Sequence, residues 1–122
     1  MDKESLPFVL GLAAIIIIVM FFFASPLSSA NYVEVRYRDG KVNIGHERFE
    51  DFDTSRSSFI RGAWYDADNQ YMIINLSGTY YHYCGKPYSS WQSFMRASSL
   101  GVHYNQNIKG QYDCRIYDAP KY

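Results

Sequence analysis

The sequence predicts an α+β protein consisting of an N-terminal transmembrane helix, then a small antiparallel β-meander with one packed helix. Three observations carry that reading: an uncharged apolar run near the start, stretches of strict alternation separated by turn dipeptides between residues 31 and 84, and a three- and four-residue recurrence beginning at Tyr88. Three segments follow from it: an anchor with its flank over residues 1–30, a membrane-proximal hairpin and linker over 31–56, and a globular unit over 57–122.

The apolar run LPFVLGLAAIIIIVMFFFA, Leu6 to Ala24, contains no charge. As a helix rising about 1.5 Å per residue it would span roughly 28 Å, the thickness of a bilayer core. Its thirteen Leu, Ile, Val and Phe residues favour insertion by roughly 4 to 8 kcal/mol. Pro7 fits a first helical turn, and Ser25-Pro26 is a natural stop. Ser28-Ser29-Ala30 offers the small residues of a signal-peptide cleavage site. Against cleavage, the run exceeds the usual span of about 7 to 15 residues, and MDKES lacks a positive n-region. The positive-inside rule sets Lys3 against Arg36, Arg38 and Lys41; taken literally, those two extra charges put the soluble part in the cytoplasm. So small a bias leaves the side of the membrane open.

Beyond the anchor, YVEVRYRDGKVNI alternates around Asp39-Gly40, a hairpin signal. GHERFEDFDTSRSS is polar, acidic and without period, and is expected to be a linker or frayed turn. FIRGAWYD, QYMIINL and TYYHYC are three strands joined by turns at DADN and Ser77-Gly78, with Met72, Ile74 and Leu76 sharing one face. In the third strand Thr79, Tyr81 and Tyr83 face one way, and Tyr80, His82 and Cys84 the other. After Pro87, the residues Tyr88, Trp91, Met95 and Ser98 mark an amphipathic helix, with Gly101 as its expected left-handed cap. The rest is expected to wrap the sheet and fray at its end.

Residues 57–112, which are 56 of the 122, resemble the KTSC domain, a module also found at the C-terminus of some lysyl-tRNA synthetases. The resemblance is carried by Ser58 with Ile60, Tyr65-Asp66, Gly78, the Tyr-x-Tyr at Tyr81 and Tyr83, Pro87, the helix running into ASSLG, and Tyr104-Asn105 followed by Ile108. Ala63-Trp64 and Cys84-Gly85-Lys86 depart from the family's usual smaller or more apolar residues. The resemblance implies a small α+β fold, a bacterial or phage source, a suggested role in binding RNA or another partner, and no established catalysis.

The charge is zero overall, and residues 31–122 carry 11 basic against 10 acidic side chains. Such a chain lacks the basic field of a dedicated nucleic-acid binder. His82, Cys84, His103 and Cys114 fit no closed zinc spacing, and no oxyanion loop or orienting carboxylate accompanies a Cys/His pair, so neither a metal nor a cofactor is expected. A Cys84–Cys114 disulfide would contribute roughly 3 to 4 kcal/mol, provided that the compartment is oxidising.

Tyr81 and Tyr83 are expected to pack between the sheet and the Trp91 helix, with RNA stacking as the alternative use of their rings. Because three strands and one helix bury one face well, Tyr80 and His82 on the other face, with Arg61, Arg96, Tyr104 and Lys109, form the expected partner-binding set. The function expected is that of a single-pass, non-enzymatic accessory or structural subunit that sits in the lipid bilayer and binds a protein partner. A membrane-tethered RNA-binding module is the alternative.

Overall fold

The structure, a computed structural model, describes residues 31–111, 114–115 and 119–122. The helix expected over residues 6–24 lies outside them. Among the described residues no helix is long and apolar enough to cross a membrane.

The alternation around Asp39-Gly40 forms the expected hairpin. Strand β1 (Tyr32–Glu34) pairs antiparallel with β2 (Lys41–Asn43), Val33 opposite Val42. The main sheet holds β3 (Phe49–Asp51), β4 (Ile60–Asp66), β5 (Tyr71–Leu76) and β6 (Thr79–Tyr83), adjacent in chain order and antiparallel throughout. The meander is therefore four-stranded. Its extra strand comes from the stretch expected to be a linker: β3 is too short to display a period, and Glu50 and Asp51 keep its edge polar. Between Ile60 and Gly62 the register shifts, so the exposed Arg61 is the extra residue of a bulge. At the β5–β6 turn Ser77 and Gly78 both take positive φ (53° and 102°), as a tight hairpin demands. The Gly78 N–H donates to Asn75 Oδ1 at 2.7 Å.

Two helices replace the single one expected: α1 (Tyr88–Arg96) and α2 (Leu100–Asn107). Ala97 turns extended (φ −62°, ψ 135°) and Ser99 restarts the helix by accepting the Val102 N–H. Gly101 thus lies in the first turn of α2 instead of capping α1. The absence of a side chain there serves close packing, since a Cβ would meet the Phe59 ring at 2.6 Å.

Both faces of the sheet are covered. On one, Ile60, Ala63, Tyr65, Met72, Ile74 and Tyr83 pack against Trp91, Phe94, Leu100, Tyr104 and Ile108 of the helical layer. Trp91 stacks on Tyr65 (ring centroids 5.2 Å apart, planes 16°) and takes the Phe52 ring edge-on. On the other face, Tyr71, Ile73 and Cys84, with Trp64 and Tyr80, lie under Val35 and Val42 of the hairpin and Ala119 and Tyr122 of the tail. The expectation that only one face is buried therefore fails. The hairpin docks on β6 through a parallel bridge between Val35 and Tyr80, with the Arg36 N–H donating to the Tyr80 carbonyl at 2.8 Å.

The chain end, expected to fray, is held. The Asp66 carboxylate is fully buried and accepts the Tyr122 hydroxyl at 2.7 Å, Asn69 Nδ2 at 2.6 Å and the Asp68 N–H at 3.0 Å. Burial alone would push this carboxyl up; the hydrogen bonds from Asn69, Tyr122 and Asp68 outweigh it and hold it below the ordinary value. The Arg38 guanidinium donates to the Pro120 carbonyl. Replacing Tyr122 by Phe leaves the ring and removes the bond to a buried charge, so we expect the full chain to lose about 1.5–3 kcal/mol in urea denaturation. Lys121→Ala, at an exposed neighbour, should change stability by less than about 0.5 kcal/mol.

Candidate functional site

Period two along β6 sends Tyr81 and Tyr83 toward the helical layer. Tyr83 is buried, and its hydroxyl lies 2.8 Å from that of Tyr104. Tyr81 is half-buried at the sheet margin. Beside it the chain leaving β1 brings Arg36, whose guanidinium lies 6.0 Å from the Tyr81 ring centroid and 5.2 Å from that of Tyr37. Tyr37 is 79 % exposed and holds a left-handed backbone (φ 67°), an unusual state for a bulky residue that costs about 1–3 kcal/mol. These rings border a cleft of about 520 Å³, with His82 along one side and Cys114 and Arg115 forming a wall.

Two covalent or hydrogen-bonded ties fix the cleft. A disulfide joins Cys84, at the end of β6, to Cys114, with 4.8 Å between their Cα atoms. Arg38 donates to the Tyr71 hydroxyl at 3.1 Å, and that hydroxyl lies 2.8 Å from His82 Nδ1.

The expected partner-binding residues divide. His82 and Tyr104 line the cleft together with Tyr81 and Tyr83, but Tyr104 is only 6 % exposed, because its ring closes the floor. Tyr80 is half-buried between the hairpin and the Trp64 ring 5.7 Å away, since the face on which it lies is covered. Arg61 on the bulge, Arg96 at the end of α1 and Lys109 beyond α2 are exposed but line no part of the cleft. Sequence reasoning passed over Arg36 and Tyr37. Their basic and aromatic alternation was visible as a hairpin strand, but their approach to Tyr81 depends on how the hairpin docks. The two cysteines are consumed by the disulfide, and among the described residues no group of three or more His, Cys, Asp or Glu side chains gathers to hold a metal.

A four-stranded antiparallel meander with two helices packed on one face and a tyrosine cleft at its margin is a small α+β fold. Residues 56–112 match the model of the KTSC domain. The chain is 36 % identical over 58 residues to an uncharacterized protein of Stutzerimonas stutzeri (strain A1501), covering 47 % of this chain and 82 % of that one. It is also similar to a KTSC domain protein from Yersinia pestis whose crystal structure is known, with 33 % identity, 53 % of this chain and 92 % of that one covered, and a TM-score of 0.49. The chain belongs to the KTSC domain family.

Burial pushes the Tyr65 and Tyr71 hydroxyls up to about 12 and raises Tyr83, Tyr104 and Tyr122 as well. A raised phenol contributes stability that is fully present below its unfolded value near 10 and is lost as pH climbs through the folded value. The urea midpoint should therefore fall between about pH 10 and 12. Phenolate absorbance from the buried rings should appear together with unfolding, and a full phenolate signal from still-folded protein would contradict this burial.

Proposed function

We propose that this chain is a membrane-tethered, non-enzymatic accessory subunit whose KTSC domain holds a segment of a partner protein in the tyrosine cleft. The observation that supports it is the make-up of that cleft: four tyrosine rings, with Arg115 on the wall and Arg36 across the rim, and no carboxylate among the described lining residues. Tyrosine gives apolar area and a hydroxyl at small entropic cost, and Tyr and Arg are the residues that anchor interfaces. RNA stacking fits less well. It needs several open ring faces, whereas Tyr83 and Tyr104 are buried against each other and Tyr81 is half-buried, so that of the four rings Tyr37 alone is exposed.

Tethering rests on the uncharged run of residues 6–24. The Cys84–Cys114 disulfide supports an oxidising compartment, hence an exported domain, and outweighs the two-charge bias toward the cytoplasm. Mass measurement of unreduced, alkylated protein from its native membrane tests both: we expect residues 6–24 retained and neither cysteine alkylated. Two alkylated thiols, or a chain beginning at Asn31, would contradict one or the other.

For the cleft, the intact detergent-solubilised protein should capture a protein partner that survives raised salt. Tyr37→Ala should weaken that capture about tenfold or more while changing stability little, because the ring is exposed. Captured RNA whose binding falls steeply with salt would replace this reading with the nucleic-acid one.

A further inference from the structure

The rim of the tyrosine cleft carries a cation that no described carboxylate neutralises. Arg36 follows the bridge residue Val35, and its N–H is tied to the Tyr80 carbonyl at 2.8 Å, so the docking of the hairpin fixes where this residue stands. The side chain is exposed, and its neighbours are phenol rings: the guanidinium lies 5.2 Å from the Tyr37 centroid and 6.0 Å from that of Tyr81. Tyr37 first, and then Tyr81, hold the guanidinium above its ordinary value, and no carboxylate is among the causes. Glu34 and Asp39 line the shallow groove on the hairpin side together with Arg36, yet neither contributes to that shift. The other arginines nearby are committed. Arg38 donates to the Tyr71 hydroxyl and the Pro120 carbonyl, and Arg115 on the cleft wall already has a partner.

A guanidinium has five N–H donors, more than two phenol oxygens can occupy, in a planar fork that matches the two oxygens of a carboxylate. Beside the two rings Arg36 therefore keeps donors for such an acceptor. Tyr37 adds an independent sign. Its φ of 67° is a left-handed backbone that a bulky residue adopts at a cost, and its ring, 79 % exposed, gains little burial in return. What the conformation achieves is to set that ring beside both the guanidinium and the cleft. The charge at the rim thus adjoins an aromatic cleft of about 520 Å³, a size that suits a short stretch of peptide.

We propose that the cleft selects a polypeptide segment bearing a carboxylate next to an apolar side chain. Arg36 takes the carboxylate in a two-oxygen fork, and Tyr37 and Tyr81 flank the apolar group. The carboxylate belongs to a Glu or Asp side chain or to a chain terminus, the chemistry being shared. This rests on the cleft being the partner site and adds which segment it takes.

Chemical shifts of the full, detergent-solubilised chain, titrated with four short peptides at neutral pH, test the proposal. Acetyl-Leu-Glu-amide carries its carboxylate on a side chain, and acetyl-Ala-Leu carries one at its free terminus. Acetyl-Leu-Gln-amide and acetyl-Ala-Leu-amide are the neutral counterparts. We expect saturable shifts at Arg36, Tyr37 and Tyr81 with a charged peptide, and binding weaker by about tenfold or more with its neutral counterpart. The charged peptide that binds tighter assigns the source of the carboxylate. Arg36→Gln, at an exposed position, should keep the melting temperature and lose the preference for charge. Arg36→Lys, a point charge without the fork, should keep part of it, and Lys109→Gln, outside the cleft, all of it. Equal affinity for charged and neutral peptides, or a preference that survives Arg36→Gln, would overturn the proposal while leaving the cleft as the partner site. No shift at the cleft with any of the four would overturn it too, and partner capture by the Tyr37→Ala protein then decides separately whether the cleft holds the partner.

Discussion

A strand buried on both faces must be covered on both, and β5 is such a strand. Tyr71, Met72, Ile73 and Ile74 are all fully buried. Each contributes about 1.5–3 kcal/mol only if its own face is dry, so the helices alone could not stabilise this sheet. The hairpin and the tail form the second cover, and the remaining anchors follow from the need to hold it: the Val35 to Tyr80 bridge, Arg38 at the Pro120 carbonyl, Tyr122 at Asp66 and the disulfide at Cys114.

This layering separates the family unit from what surrounds it. The matched stretch, residues 56–112, supplies β4 to β6 and both helices. The β1–β2 hairpin, β3 and the tail lie outside it, and they shape the cleft as well as covering the sheet. Arg36 and Tyr37 come from the hairpin side, while Cys114 and Arg115 come from the tail. The cleft is therefore built from residues outside the matched stretch as well as from Tyr81 and Tyr83 within it.

The local parts were legible because each obeys a short-range rule. Alternation placed Met72, Ile74, Tyr81 and Tyr83 on one face, and Asp39-Gly40 and Ser77-Gly78 marked hairpins that the structure contains. What escaped was long-range. Three residues of β3 cannot show a period, and α2 lacks a clear apolar stripe, with only Leu100 and Tyr104 buried along it. The covered second face was invisible for the same reason, since nothing local to Val35 or Tyr122 announces Tyr80 or Asp66 as a neighbour. The site was half legible: Tyr81, Tyr83, His82 and Tyr104 were singled out, whereas Arg36 and Tyr37 join them only through docking.

The disulfide also changes how the chain would respond to tension. Cys84 and Cys114 stand 30 residues apart, and both helices lie within the loop that they close. A pull applied to the chain on either side of the pair would run through the cross-link and bypass that loop. Roughly 100 Å of contour, at about 3.3–3.6 Å per residue, is thereby withheld from extension. The helical layer would remain closed within the cross-linked loop, and extension would be confined to the chain outside it.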